Sequence, residues 1–288
     1  MEIQRERYVN PFTDFGFKKI FGEEPNKDIL IDFLNELLGD EQHIKDLTYG
    51  NLEKHDALAG QRKAVFDLYC ENDKGEKFIV EIQKAKQDFF KDRTIFYSTF
   101  PIREQAIKGG DWDFELKAVY TIGILDFTFN DEDKDKTVVT EVKLMDTKKN
   151  TVFYDKLTYI YLQMPNFTKT EKELKTKFDK WLFVLKNLPK FQNRPQILTE
   201  KIFKKLFKIA EVSNFTQQEM MIYEESLKIY RDMRNVIATA RRDGVKEGEM
   251  KTMIKVAAAM LKKGEPVSKI IEFTGLSREK VEELKNQI

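Results

Sequence analysis

The chain has 288 residues, 41% of them apolar and 34% charged, a composition that supplies a buried core and excludes extended disorder, at a length suited to one large domain or a core with an appendage. The single Cys70 excludes an internal disulfide, and with no run of eighteen apolar residues and no signal-peptide pattern at the charged start, the expected setting is cytoplasmic, with no membrane partner. A formal net charge of +1 neither selects nor excludes a polyanion, because the distribution of charge decides that.

Over residues 13–38, Phe17, Ile20, Phe21, Ile29, Phe33, Leu34 and Leu37 recur at helical spacing, and Gly22 with Pro25 divides the stretch into two helices. Strand-like runs follow at 44–52, 64–71 and Lys77–Gln83, the last two joined by a short polar turn containing Gly75. A helix over 88–108 ends at the paired Gly109 and Gly110. Strands are then predicted at 116–129, 137–145 and Thr151–Gln163, separated by polar segments. This order of helix, strands, helix and strands predicts an α/β fold, a mixed sheet flanked by helices.

After Pro165 the pattern turns amphipathic with few turn signals, so a core over 1–165 precedes a helical region over 166–288, whose helices either pack on the core or stand apart. Residues 169–208 carry twelve Lys or Arg against four acids, which suits either a phosphate-facing surface or a solvated helical face. Residues 266–288 read as two short helices joined at Thr274-Gly275-Leu276 with Ser277 as N-cap, a pattern like a helix-turn-helix. The second of these mixes Arg278, Lys280 and Lys285 with Glu279, Glu282 and Glu283, which fits a groove-reading helix poorly. The apolar stretch Ala257 to Leu261 suits packing instead, including a homo-oligomer formed through the C-terminal helices.

The chemistry is concentrated in Val65-Phe66-Asp67-Leu68-Tyr69-Cys70-Glu71, the turn Asn72-Asp73-Lys74-Gly75, and Glu76-Lys77-Phe78-Ile79-Val80-Glu81-Ile82-Gln83. If Asp73-Lys74-Gly75 is a three-residue loop with glycine left-handed, antiparallel counting pairs Asn72 with Glu76 and therefore Asp67 with Glu81. A longer loop shifts the pairing by one residue and keeps only Glu81 and Gln83 together. Alternation places Asp67, Glu81 and Gln83 on one face and Phe66, Leu68, Phe78, Val80 and Ile82 on the other. Opposed carboxylates about 5 Å apart repel unless a cation or proton intervenes. Carboxylates with a carbonyl and waters suit Mg²⁺, with Mn²⁺ as the alternative, whereas His43, His55 and Cys70 have no zinc-site spacing.

A strand acid, a hairpin and then Glu-x-Gln resembles the PD-(D/E)XK nuclease signature in the variant where glutamine replaces the final lysine. The segment Asn10-Pro11-Phe12-Thr13-Asp14-Phe15-Gly16-Phe17-Lys18-Lys19-Ile20-Phe21-Gly22 and the helix with Arg93-Thr94-Ile95-Phe96-Tyr97 are similar to the Rpn family of recombination-promoting nucleases and putative transposases, over most of 1–165. The resemblance implies a restriction-endonuclease-like core that hydrolyses DNA with little sequence preference. It implies Asp67, Glu81 and the Ile82 carbonyl as Mg²⁺ ligands, Asp14 as a further metal-associated acid, and Gln83 as a group positioning water or phosphate by hydrogen bonds. Lys18 and Arg93 then supply the positive charge that Gln83 lacks. The competing reading is a DNA-binding or interaction protein of a mobile element whose catalytic site has decayed.

Overall fold

The computed structural model describes residues 6–39, 43–54, 64–106, 113–129 and 136–287. Thr13 is extended and its hydroxyl accepts the Gly16 N–H, which caps α1 (Asp14–Phe21); Gly22 ends that helix. A short 3₁₀ turn at Glu24–Asn26 takes up Pro25, and α2 (Lys27–Leu38) follows, stopping at Gly39, where φ is 59°. The remaining elements in chain order are β1 (Leu47–Tyr49), β2 (Glu53–Lys54), β3 (Ala64–Val65), β4 (Leu68–Asn72), β5 (Lys77–Gln83), α3 (Phe90–Glu104), β6 (Val119–Leu125), β7 (Val139–Asp146), β8 (Thr151–Gln163), α4 (Lys177–Asn187), α5 (Lys201–Ile209), α6 (Gln217–Lys262), α7 (Val267–Thr274) and α8 (Arg278–Asn286).

Six strands form one mixed sheet in the order β1-β4-β5-β6-β8-β7, while β2 and β3 make a separate ribbon. Strands β5, β6 and β8 are parallel; the other neighbours are antiparallel. All seven residues of β6 are buried, as a parallel strand covered on both faces requires. One face packs on α3, where Phe90 and Phe100 meet Ile79, Leu125, Tyr159 and Tyr161. The other face presents Phe78, Val80 and Ile122 to a larger core that contains Phe21, Phe33, Trp181 and Phe203.

Several expected strands are shorter than their sequence patterns. The run at 44–52 yields only β1, with β2 starting at Glu53, and 116–129 contracts to β6. The run at 64–71 is interrupted at Phe66 and Asp67, which belong to neither β3 nor β4. Gly109 and Gly110, the expected end of the third helix, and most of the polar segment after Phe129 lie outside the described residues, as does His55.

The chain divides into two compact units, Met1–Tyr230 and Arg231–Ile288. Within the first, α4 and α5 belong to the main core, since Trp181 is fully buried 5.6 Å from the ring of Phe33. The basic run fastens these helices: Lys177 pairs with Asp32 and Lys205 with Asp28, each at 2.5 Å, Lys169 meets Asp179 at 2.6 Å, and Lys180 meets Glu200 at 2.5 Å. Lys186 donates to the Phe167 carbonyl and Arg194 to that of Leu198. With Lys190, which donates to Asn187 Oδ1, seven of the twelve cations have internal partners. In the second unit Ala257, Ile270, Leu276 and Val281 form a small core, Gly275 links α7 to α8 with φ of 67°, and Ser277 caps α8. No helix among the described residues is long and apolar enough to cross a membrane.

Candidate active site

The β4–β5 hairpin closes through Asp73-Lys74-Gly75. Gly75 has φ of 79° and donates its N–H to Asn72, while the Asn72 N–H donates to the Glu76 carbonyl at 3.1 Å. The ladder pairs Leu68 with Val80, Tyr69 with Ile79, Cys70 with Phe78 and Glu71 with Lys77, and the same count sets Asp67 opposite Glu81. The short-loop register is the one that folds.

At the open end of the hairpin, side chains take over the strand bonds. The Asp67 N–H donates to Glu81 Oε1 at 3.1 Å, and the Ile82 N–H donates to Asp67 Oδ2 at 2.7 Å. Each carboxylate is thus tied by one oxygen to the backbone of the opposite segment, and the second oxygen of each takes no hydrogen bond among the described residues. The interruption also corrects the expected position of Phe66. Instead of joining Leu68, it turns to the α3 side and packs on Tyr69, Tyr97 and Phe100, with ring centroids 5.4 to 6.5 Å apart.

Glu81 is only 6% exposed. Burial first, and then the Asp67 charge, push its pKa up to about 8, against the opposing pull of the Asp67 N–H and the Arg93 guanidinium. The Asp67 carboxyl is also raised, first by burial and then by Asp14, against the Ile82 N–H, Lys18 and Lys84. Two carboxylates therefore sit side by side where neither is comfortable as an anion.

Gln83 shares the Glu81 face and its amide is engaged at both ends. Its Oε1 accepts from Arg93 Nη2 at 2.5 Å, and its Nε2 donates to the Ala85 carbonyl at 3.0 Å. Arg93 reaches it from the first turn of α3, bonds Gln87 through Nη1 at 2.7 Å, and lies 5.8 Å from the Tyr97 ring. Its Nε is buried without a hydrogen-bond partner among the described residues. The structure thus brings together Asp67, Glu81, Ile82, Gln83 and Arg93. Asp14 and Lys18 stand apart as an exposed pair on α1 at 2.9 Å, near enough to Asp67 to act on its charge. No third Asp, Glu, His or Cys joins Asp67 and Glu81 in a metal-binding group among the described residues.

One residue escaped the sequence reading. Lys84, half-buried just beyond β5, has its pKa lowered by burial and is held charged by Asp14 and Asp67, against Lys18. The available signal was adjacency to Gln83, but alternation puts it on the opposite side of the strand from Glu81 and Gln83.

Two carboxylates with unengaged oxygens, beside a main-chain carbonyl, form an all-oxygen donor set that fits a hard divalent cation. A family model described as PD-(D/E)XK nuclease family transposase matches residues 11–240. No curated protein and no solved structure matches the chain.

Proposed function

The chain belongs to the PD-(D/E)XK nuclease family transposases, and from that premise we propose that it is a DNA endonuclease acting with a divalent cation, Mg²⁺ or Mn²⁺, held by Asp67, Glu81 and the Ile82 carbonyl. The observation that carries the reading is the pair of mutually repelling carboxylates, Glu81 buried and Asp67 partly buried, each anchored by one oxygen and leaving the other open. When bound, the cation polarises the scissile phosphate and activates water. Asp67 and Glu81 hold it, and their crossed backbone bonds keep both carboxylates fixed before substrate arrives.

Arg93 places a guanidinium beside Glu81, where it stabilises charge that develops on the phosphoryl oxygens. Gln83 acts as a positioning residue: with its Oε1 on Arg93 and its Nε2 on Ala85, it orients the guanidinium rather than the attacking water. Lys18 and Lys84 supply positive charge on the Asp67 side. Asp14 steadies Lys18 through their pair instead of binding the cation directly.

The engaged amide of Gln83 also favours a second reading, a mobile-element protein that binds DNA without cutting it. Supercoiled plasmid incubated with purified protein separates the two. Nicking that requires Mg²⁺ or Mn²⁺, stops with chelator and is lost in Asp67→Asn supports the nuclease. Salt-sensitive binding with no cut under any metal selects the second reading. Cleavage surviving in Asp67→Asn overturns the assigned site.

A further inference from the structure

The sheet ends at β7, which among the described strands bonds only to β8. The Gln163 N–H donates to the Val138 carbonyl, so alternation turns the backbone groups of Thr140 and Val142 toward β8 and leaves those of Glu141 and Lys143 facing outward. The outer edge runs eight residues without a proline, and its register shifts fall where residues of β8 are skipped. Strand β6 pairs only with Leu157 to Gln163, so the earlier part of β8 continues with β7 as a ribbon beyond the central strands. That ribbon exposes Leu144, Met145, Val152 and Phe153, the last by 80%, and Val142, just before it on β7, is also exposed. Open edges of this kind invite pairing unless they are blocked.

Charge selects the occupant. Glu141 and Lys143 lie on one face of β7, opposite Ile160 and Thr158, and contact each other at 2.5 Å. We propose that β7 pairs antiparallel with β7 of a second copy of this chain, about a twofold axis at Val142. Glu141 then faces Lys143 of the second copy and Lys143 faces its Glu141, while Thr140 meets Leu144 and Val139 meets Met145. An axis at residue 141 or 143 sets like charges opposite each other and is disfavoured. The axis at Val142 also lets the outward backbone groups of Glu141 and Lys143 exchange hydrogen bonds with the second copy, continuing the sheet across an isologous interface. Val142 meets its own counterpart at a non-hydrogen-bonded position, with Cα atoms about 4.5 Å apart, within disulfide reach.

The test uses the full chain, with molar mass measured by light scattering or sedimentation over a range of concentrations and folding monitored by circular dichroism. Wild type is a dimer. Glu141→Lys and Lys143→Glu each weaken association by tenfold or more, the double reversal restores it, and Val142→Cys yields a dimer covalently linked on oxidation while buried Cys70 does not react. A monomer at every concentration overturns the proposal. So does a dimer indifferent to both single reversals, a double reversal that fails to restore association, or a folded Val142→Cys protein that does not cross-link. These readouts involve neither DNA nor metal, so their failure leaves the nuclease reading untouched.

Discussion

Glu81→Gln isolates the cost of the carboxylate pair. Glu81 ionises near pH 8 in the folded protein and near 4.5 in the unfolded chain. Between those values the native state holds a proton that the unfolded state has released, so the stabilisation is complete below pH 4.5 and is lost as pH rises through 8. At roughly 1.4 kcal/mol per pH unit, the loss reaches at most about 5 kcal/mol. The substituted glutamine carries no charge, yet its amide oxygen still accepts the Asp67 N–H, so the geometry survives while the penalty disappears. For a folding unit of this size each kcal/mol moves Tm by about 2–4 °C, which puts the variant on the order of 10 °C above wild type at pH 8.5. The assay is thermal unfolding in chelator between pH 5 and 9, repeated with Mg²⁺ at pH 8. Wild-type Tm falls with rising pH and recovers with Mg²⁺; the variant stays nearly flat and gains little from the ion. Parallel pH curves for the two proteins, or equal stabilisation of both by Mg²⁺, would refute the reasoning.

Arg93→Ala removes the bond to Gln83 and the positive charge beside Glu81, so cleavage falls about 10²- to 10³-fold. The same change moves the midpoint of the pH-dependent stability loss upward, since the guanidinium favours the ionised carboxylate; an unmoved midpoint counts against electrostatic coupling of the two groups. Gly16→Ala introduces a Cβ that collides with the Asn10 carbonyl and crowds Thr13 Oγ1, so urea denaturation shows a loss of about 2 kcal/mol or more. Gly248→Ala, in α6 with nothing within 4 Å of the added carbon, serves as the opposite case and gains up to about 1 kcal/mol.

Local rules made the hairpin legible, because a three-residue loop with a left-handed glycine fixes register and register fixes which acids face each other. The same rules misplaced Phe66. Its orientation follows from the break at Asp67, where a Glu81 oxygen fourteen residues away captures the main-chain N–H, and no alternation pattern contains that bond. The basic run at 169–208 was ambiguous for a similar reason: Asp28 and Asp32, which receive Lys205 and Lys177, lie 177 and 145 residues upstream in sequence. Arg93 was legible as a cation near the strand end, but its hold on Gln83 depends on how α3 meets β5.

The carboxylate pair argues against a purely structural role for this end of the sheet. A buried acid retained only for folding is expected to have a cation fully engaged with it, because losing that partner strands a charge. Arg93 only partly offsets the cost for Glu81, its nearer hydrogen bonds going to Gln83 and Gln87. Lys18 is paired with Asp14 and only partly offsets the Asp67 charge, and Lys84 is itself penalised by burial. An amide at position 81 would preserve the Asp67 hydrogen bond and remove the repulsion, so folding alone gives no reason to keep glutamate there. What a carboxylate offers that an amide does not is affinity for a cation arriving from outside the protein, and that is the property a metal-dependent nuclease requires.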